Sequence, residues 1–107
     1  MVAQISPREL FQSLENGQSV RLVDVRQPWE NQLANLPGSI LIPLNELPDR
    51  TKEIARDQCV VVVFCHHGIR SLSAAGYLQR LGFINVKSLA GGIDAWSCEI
   101  DANVPRY

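Results

Sequence analysis

The chain has 107 residues, 46% of them hydrophobic and 20% charged, which suits a single domain with an ordinary apolar core, spanning residues 1–107. A formal net charge of −1 excludes a strongly basic surface, and no apolar run approaches the ~20 residues of a membrane span, so neither nucleic acid nor membrane is an expected partner. The start, Met1 to Arg8, lacks the basic and long apolar regions of a signal peptide, and an odd count of three cysteines (Cys59, Cys65 and Cys98) fits a reducing compartment; a cytoplasmic protein is expected.

The elements alternate between strand and helix. Ser6 is a candidate N-cap and Pro7 a first helical residue; Leu10, Phe11 and Leu14 give one apolar face before Gly17 stops the helix. Val20 to Val25 reads as a strand, and Gln27 to Glu30 starts a short helix. A second short strand over Ser39 to Ile42 is closed by Pro43, and Leu44 to Arg56 is expected to be helical but broken at Pro48. Cys59 to Phe64 is the strongest strand: the run Val60-Val61-Val62-Val63 has no polar alternation, as in a strand buried on both faces of a parallel sheet. A helix over Arg70 to Leu81 follows, with Leu72, Ala75, Leu78 and Leu81 as its apolar face and Gly82 beyond its end. Val86 to Leu89 is a further strand, and Gly91-Gly92 leads into a short helix around Ile93 to Trp96. The pattern predicts an α/β domain, with a mainly parallel central sheet and helices on both faces.

Chemistry concentrates in Cys65-His66-His67-Gly68-Ile69-Arg70-Ser71. Open parallel sheets bind ligands beyond the carboxyl ends of their strands, and Cys65 lies there, between the most apolar strand and the longest helix. Unpaired N–H groups and a partial positive charge at a helix N-terminus favour a thiolate over a thiol. Arg70 stands at the rim of the same turn and would bind an oxyanion in a forked manner. Gly68 allows a positive φ or a close backbone approach, and Ser71 can cap the helix or donate to the sulfur. A strand-terminal cysteine is usually a small core residue, but two histidines, a glycine and an arginine do not belong in a core.

Cys65, His66 and His67 are consecutive, so their side chains are expected to diverge; no metal and no cofactor is expected. The histidines read as loop side chains whose amides matter more than their rings, since a preformed thiolate needs no general base. Cys59 is expected to be inert, and Cys98 an incidental cysteine rather than a resolving thiol.

Three segments together resemble a single-domain rhodanese, the thiosulfate sulfurtransferase or rhodanese-like family. Asp24-Val25-Arg26 followed by Glu30 resembles its Asp-x-Arg…Glu motif; residues 65–71 resemble its loop Cys-x-x-Gly-x-Arg-Ser/Thr; and Gly91-Gly92-Ile93-Asp94-Ala95-Trp96 resembles its near-terminal Gly-Gly-x-x-x-Trp, with Pro105 beyond. The chain departs from the family where a Gly-His-Ile-x-Gly-Ala stretch is usual and Ala34-Asn35-Leu36-Pro37-Gly38-Ser39 stands instead. The resemblance implies a sulfurtransferase with Cys65 as catalytic nucleophile. His66, His67, Gly68, Ile69, Arg70 and Ser71 would line the substrate site, and Asp24, Arg26 and Glu30 would brace it as a partly buried charge network. It implies a small sulfane-sulfur donor such as thiosulfate and a thiol or cyanide acceptor, or a protein donor and acceptor in a sulfur relay. Trp96 reads as core.

The nearest rivals are a Cys-Arg loop phosphatase or arsenate reductase and a non-catalytic interaction module. Four residues separate Cys65 from Arg70, where phosphatase loops carry five, and the smaller cup suits one sulfur better than a phosphate. A binding-only module typically loses the cysteine that this chain keeps.

Overall fold

The computed structural model describes residues 2–107; Met1, where the expected domain span begins, lies outside them. Five strands form one sheet in the order β1-β5-β4-β2-β3: β1 (Ala3–Ile5), β2 (Val20–Asp24), β3 (Ile40–Leu41), β4 (Val60–Phe64) and β5 (Val86–Leu89). Every pairing is parallel, with Val20 to Asp24 beside Val60 to Phe64 and Val61 to Val63 beside Val86 to Ser88. The polyvaline strand β4 is therefore central. Val61 and Val63 face one apolar cluster with Leu47, Ala74, Ala75 and Leu78, while Val62 and Phe64 face a second with Leu10, Leu36, Ile93 and Trp96. Helices thus cover both faces, and each buried valine contributes about 1.5–3 kcal/mol of transfer free energy.

The helices are α1 (Pro7–Glu15), α2 (Pro28–Leu33), α3 (Leu47–Arg50), α4 (Ile69–Arg80) and α5 (Gly92–Glu99). Ser6 caps α1 in a reciprocal capping box with Glu9: the Ser6 oxygen accepts from the Glu9 N–H at 3.1 Å, and the Glu9 carboxylate accepts from the Ser6 N–H at 2.9 Å.

Several elements differ from the sequence reading. β1 was not expected; at three residues it is too short to show a period, and its pairing with β5 supplies its order. Pro48 does not break a helix but occupies the first turn of α3, where a missing N–H costs nothing. The irregularity lies instead in the 3₁₀ turns on either side, Leu44–Glu46 and Thr51–Glu53. The buried face of α4 is Ser71, Ala74, Ala75 and Leu78, a 3.6-residue stripe, whereas Leu81 is 39% exposed. On α1 only Leu10 of the expected apolar face is buried; Phe11 and Leu14 are exposed at the edge.

Candidate active site

Cys65 leaves the carboxyl end of β4 and is 1% exposed, so the sulfur lies at the bottom of the loop. Gly68, at φ +104°, turns the chain back over the sulfur and starts α4. That turn aims two backbone N–H groups inward: Gly68 N donates to Cys65 Sγ at 3.1 Å and Ser71 N at 3.4 Å. The Ser71 hydroxyl oxygen lies 3.5 Å from the same sulfur, accepting from the Cys65 thiol. Two N–H donors converging on one sulfur at a helix N-terminus favour an anion there.

The loop is clamped from behind. Ile93 N donates to the Cys65 carbonyl at 2.9 Å and Asp94 N to the His66 carbonyl at 3.1 Å. Gly92, at φ +64°, is packed so closely on these carbonyls that a Cβ would fall 2.6 Å from the Cys65 oxygen. The double glycine lets α5 begin directly against the loop backbone.

Arg70 stands at the rim with its side chain 35% exposed and forms a forked ion pair with Glu30, at 2.7 and 2.9 Å. Those hydrogen bonds are the main reason the Glu30 carboxyl is held down at about 2. Glu30 in turn accepts from Tyr107 Oη at 2.7 Å and from Gln27 N at 3.0 Å. Beneath it, the fully buried Arg26 pairs with fully buried Asp24 at 2.7 and 2.8 Å. Arg26 also donates to the Ala34 carbonyl at 2.7 Å and to Tyr107 Oη at 2.9 Å. Asp24, Arg26, Glu30 and Arg70 thus form one hydrogen-bonded chain running from the core to the rim. A buried arginine is tolerated because the N–H groups on each edge of its guanidinium find acceptors.

Sequence reasoning passed over Tyr107. Its ring stacks on His66 at 3.9 Å and 7°, its edge meets Trp29, and burial pushes its hydroxyl up to about 12. Only the sequence position two residues beyond Pro105 distinguished it. His66 and His67 do not diverge as expected; their rings stack at 3.9 Å and 24°. Burial, then the neighbouring His67, pushes the His66 pKa down, which favours its neutral form. Ligand atoms of His66, His67 and Asp94 come within 4.8 Å of one another, the one such grouping among the described residues. His67 Nε2 lies 3.8 Å from the Asp94 carboxylate, which Arg106 also engages at 2.8 Å, so the divergence expected of the two histidines is not what the loop shows. Ile69 is 78% exposed at the rim. Trp96 is packed in the core against Phe11. Cys59 is half-buried just before β4 and Cys98 is exposed on α5.

Residues 6–99 match the Rhodanese-like domain family, and the chain belongs to it. A sulfurtransferase of Allochromatium vinosum is 38% identical over 97 residues, covering 91% of this chain and 90% of that protein. A probable adenylyltransferase/sulfurtransferase of Mycobacterium tuberculosis, MoeZ, is 32% identical over 96% of this chain, which spans 26% of that longer protein. The crystal structure of a rhodanese-related protein from Thermoplasma volcanium superposes with a TM-score of 0.81 at 32% identity, covering 96% of this chain and 95% of that one. Sulfur transfer is the activity these relationships support.

Proposed function

We propose that the protein carries sulfane sulfur as a persulfide on Cys65. It would take the sulfur from a donor such as thiosulfate and pass it to a thiol or cyanide. The observation that carries this reading is the convergence of Gly68 N, Ser71 N and Ser71 Oγ on a single buried sulfur.

The Cys65 thiolate attacks the outer sulfur of thiosulfate. A Cys65 S–S bond forms, the donor's S–S bond breaks, and sulfite departs with the bonding electron pair. An acceptor thiolate or cyanide then attacks the terminal sulfur, and Cys65 leaves as a thiolate. The loop amides stabilise negative charge on the bound sulfur at each stage. Arg70 binds the sulfonate oxygens or the leaving sulfite through its exposed edge, while Glu30 fixes its orientation. Asp24, Arg26 and Glu30 hold the rim in place, and His66, His67, Gly68 and Ile69 shape the mouth.

A second reading, a sulfur relay receiving persulfide from a partner protein, is favoured by the likeness to part of a longer adenylyltransferase/sulfurtransferase. Intact mass of the reduced protein after thiosulfate treatment tests the main proposal. Gain of one sulfur atom is expected, reversed by cyanide and absent in Cys65→Ala. No adduct on Cys65, or hydrolysis of an aryl phosphate instead, would overturn it. We place the protein in the cytoplasm on the three unpaired cysteines; no helix among the described residues is long and apolar enough to cross a membrane.

A further inference from the structure

Ser88 sits in β5, on the side of the sheet that Val86 turns toward α4, and it is completely buried. A hydroxyl at a core strand position is unfavourable unless partnered, and an apolar residue would ordinarily occupy it. Among the described residues the Ser88 hydroxyl has one side-chain contact, Ser71 Oγ at 2.7 Å. Ser71 Oγ is in turn 3.5 Å from Cys65 Sγ. Two serines of different elements therefore form a short chain that ends on the nucleophile.

Each serine hydroxyl has one hydrogen, so the Ser71–Ser88 contact can run in one direction at a time. With Ser71 donating to Ser88, the thiolate would face an oxygen lone pair. With Ser88 donating to Ser71, the single Ser71 hydrogen is free to point at the sulfur. Negative charge on Cys65 selects the second arrangement, and donation into Ser71 polarises its O–H further.

We propose that Ser88 is a positioning residue for the nucleophile, its buried hydroxyl donating to Ser71 Oγ and so directing the Ser71 hydrogen onto Cys65 Sγ. Ser88 touches no reacting atom and acts through Ser71. Its effect is felt twice in the cycle: it favours the thiolate that accepts sulfur, and it makes Cys65 a better leaving group when the sulfur is passed on. The inference rests on the reading of Cys65 as the reactive thiolate.

The test is peptide-resolved alkylation of Cys65 by iodoacetamide across the pH range where thiols ionise, which keeps Cys59 and Cys98 out of the readout. The full chain is used as wild type, Ser88→Ala, Ser71→Ala and the double variant, with urea unfolding to confirm that each is folded. Ser88→Ala is expected to move the pH midpoint upward by about half a unit, since a hydrogen bond to the charged form is weakened. In the Ser71→Ala background Ser88→Ala is expected to add nothing. A merely structural serine would lower the unfolding midpoint and leave the pH midpoint in place. An unchanged pH midpoint in Ser88→Ala, or a shift that persists without Ser71, would overturn the inference. Where Ser88→Ala does not fold, Ser88→Cys preserves the volume with a weaker donor, and it must move the midpoint in the same direction. A Cys65 that gains sulfur from thiosulfate yet ignores Ser88 defeats this inference alone; a Cys65 that gains none defeats the sulfurtransferase reading.

Discussion

Gly92→Ala tests whether α5 clamps the nucleophile loop, and Gly17→Ala supplies its reference. Both glycines have a positive φ, +64° and +74°, but a Cβ at Gly17 would meet nothing within 4 Å. Gly17→Ala therefore reports backbone strain alone, about 1 kcal/mol of destabilisation after the reduced entropy of the unfolded chain is credited. At Gly92 the new Cβ would lie 2.6 Å from the Cys65 carbonyl oxygen, 2.5 Å from the His66 carbonyl carbon and closer still to its oxygen. Those atoms are backbone, so either the loop or the start of α5 must move by about 1 Å to restore ordinary contact distances. Such a move breaks the bonds from Ile93 N and Asp94 N to these carbonyls, each worth about 0.5–1.5 kcal/mol. Strain plus two lost bonds plus residual overlap gives about 4 kcal/mol, a large share of a small domain's stability. Urea unfolding of the two variants measures the difference, and intact mass after thiosulfate treatment, under conditions where both are folded, measures sulfur loading. We expect Gly92→Ala to lose about 3 kcal/mol more than Gly17→Ala and to load sulfur poorly. Equal losses for the two variants, or normal loading by a strongly destabilised Gly92→Ala, would refute the clamp.

Arg70→Ala is expected to raise KM for thiosulfate far more than it slows loading by a neutral persulfide donor; equal damage to both would assign Arg70 to holding the loop through Glu30. Because the variant leaves Glu30 with only Tyr107 and Gln27 as donors, it should also cost about 1–2 kcal/mol in urea unfolding. The Glu30 carboxyl titrates lower in the folded protein, at about 2, than its ordinary 4.5. Its contribution is therefore complete above the unfolded value and is lost as pH falls from 4.5 to about 2. Discounted for the exposed side of Arg70, this amounts to about 2 kcal/mol. Urea midpoints measured down that range should fall in the wild type and flatten in Glu30→Gln; parallel curves would contradict the assignment. Tyr107→Phe keeps the stack on His66 but removes a donor to Glu30 and an acceptor from Arg26, so stability should drop by about 1–3 kcal/mol. A Phe variant as stable as wild type would mean that the stack alone secures that residue.

The geometry of the Cys65 loop was legible because it is local. A β-branched run, a cysteine, a glycine and a helix are consecutive, and strand-to-helix geometry places the sulfur without any distant contact. The central strand was legible for the same reason. Ser88 and Tyr107 were not, since each matters only through a residue far along the chain: Ser88 through Ser71, Tyr107 through Arg26, Glu30 and His66. β1 is too short to display a period, and its order comes from β5. The histidine rings were expected to diverge because neighbours in an extended chain do; the loop is tightly turned, and Tyr107 presses on one side of His66. Pro48 was misplaced because a proline inside a helix and one in its first turn look alike without the helix start.

The three motif segments converge because a parallel sheet places every strand's carboxyl end at one edge. β2 ends in Asp24 and leads to Arg26 and Glu30, β4 ends at Phe64, next to Cys65, and β5 ends at Leu89, just before the double glycine. Each segment then has a different physical task. The loop after β4 supplies the proposed nucleophile and the N–H groups aimed at its sulfur; the segment after β2 supplies a carboxylate paired with Arg70; the segment after β5 supplies backbone N–H groups that fix the carbonyls of Cys65 and His66. Fixing these carbonyls sets the peptide planes that carry the His66 and His67 N–H groups, because a peptide unit's N–H and C=O point in opposite directions. Binding the Cys65 and His66 carbonyls to α5 anchors the start of the turn from which Gly68 N and Ser71 N reach the sulfur. A loop released from α5 would have no reason to keep them there, so anion binding at Cys65 depends on a helix that never touches the sulfur.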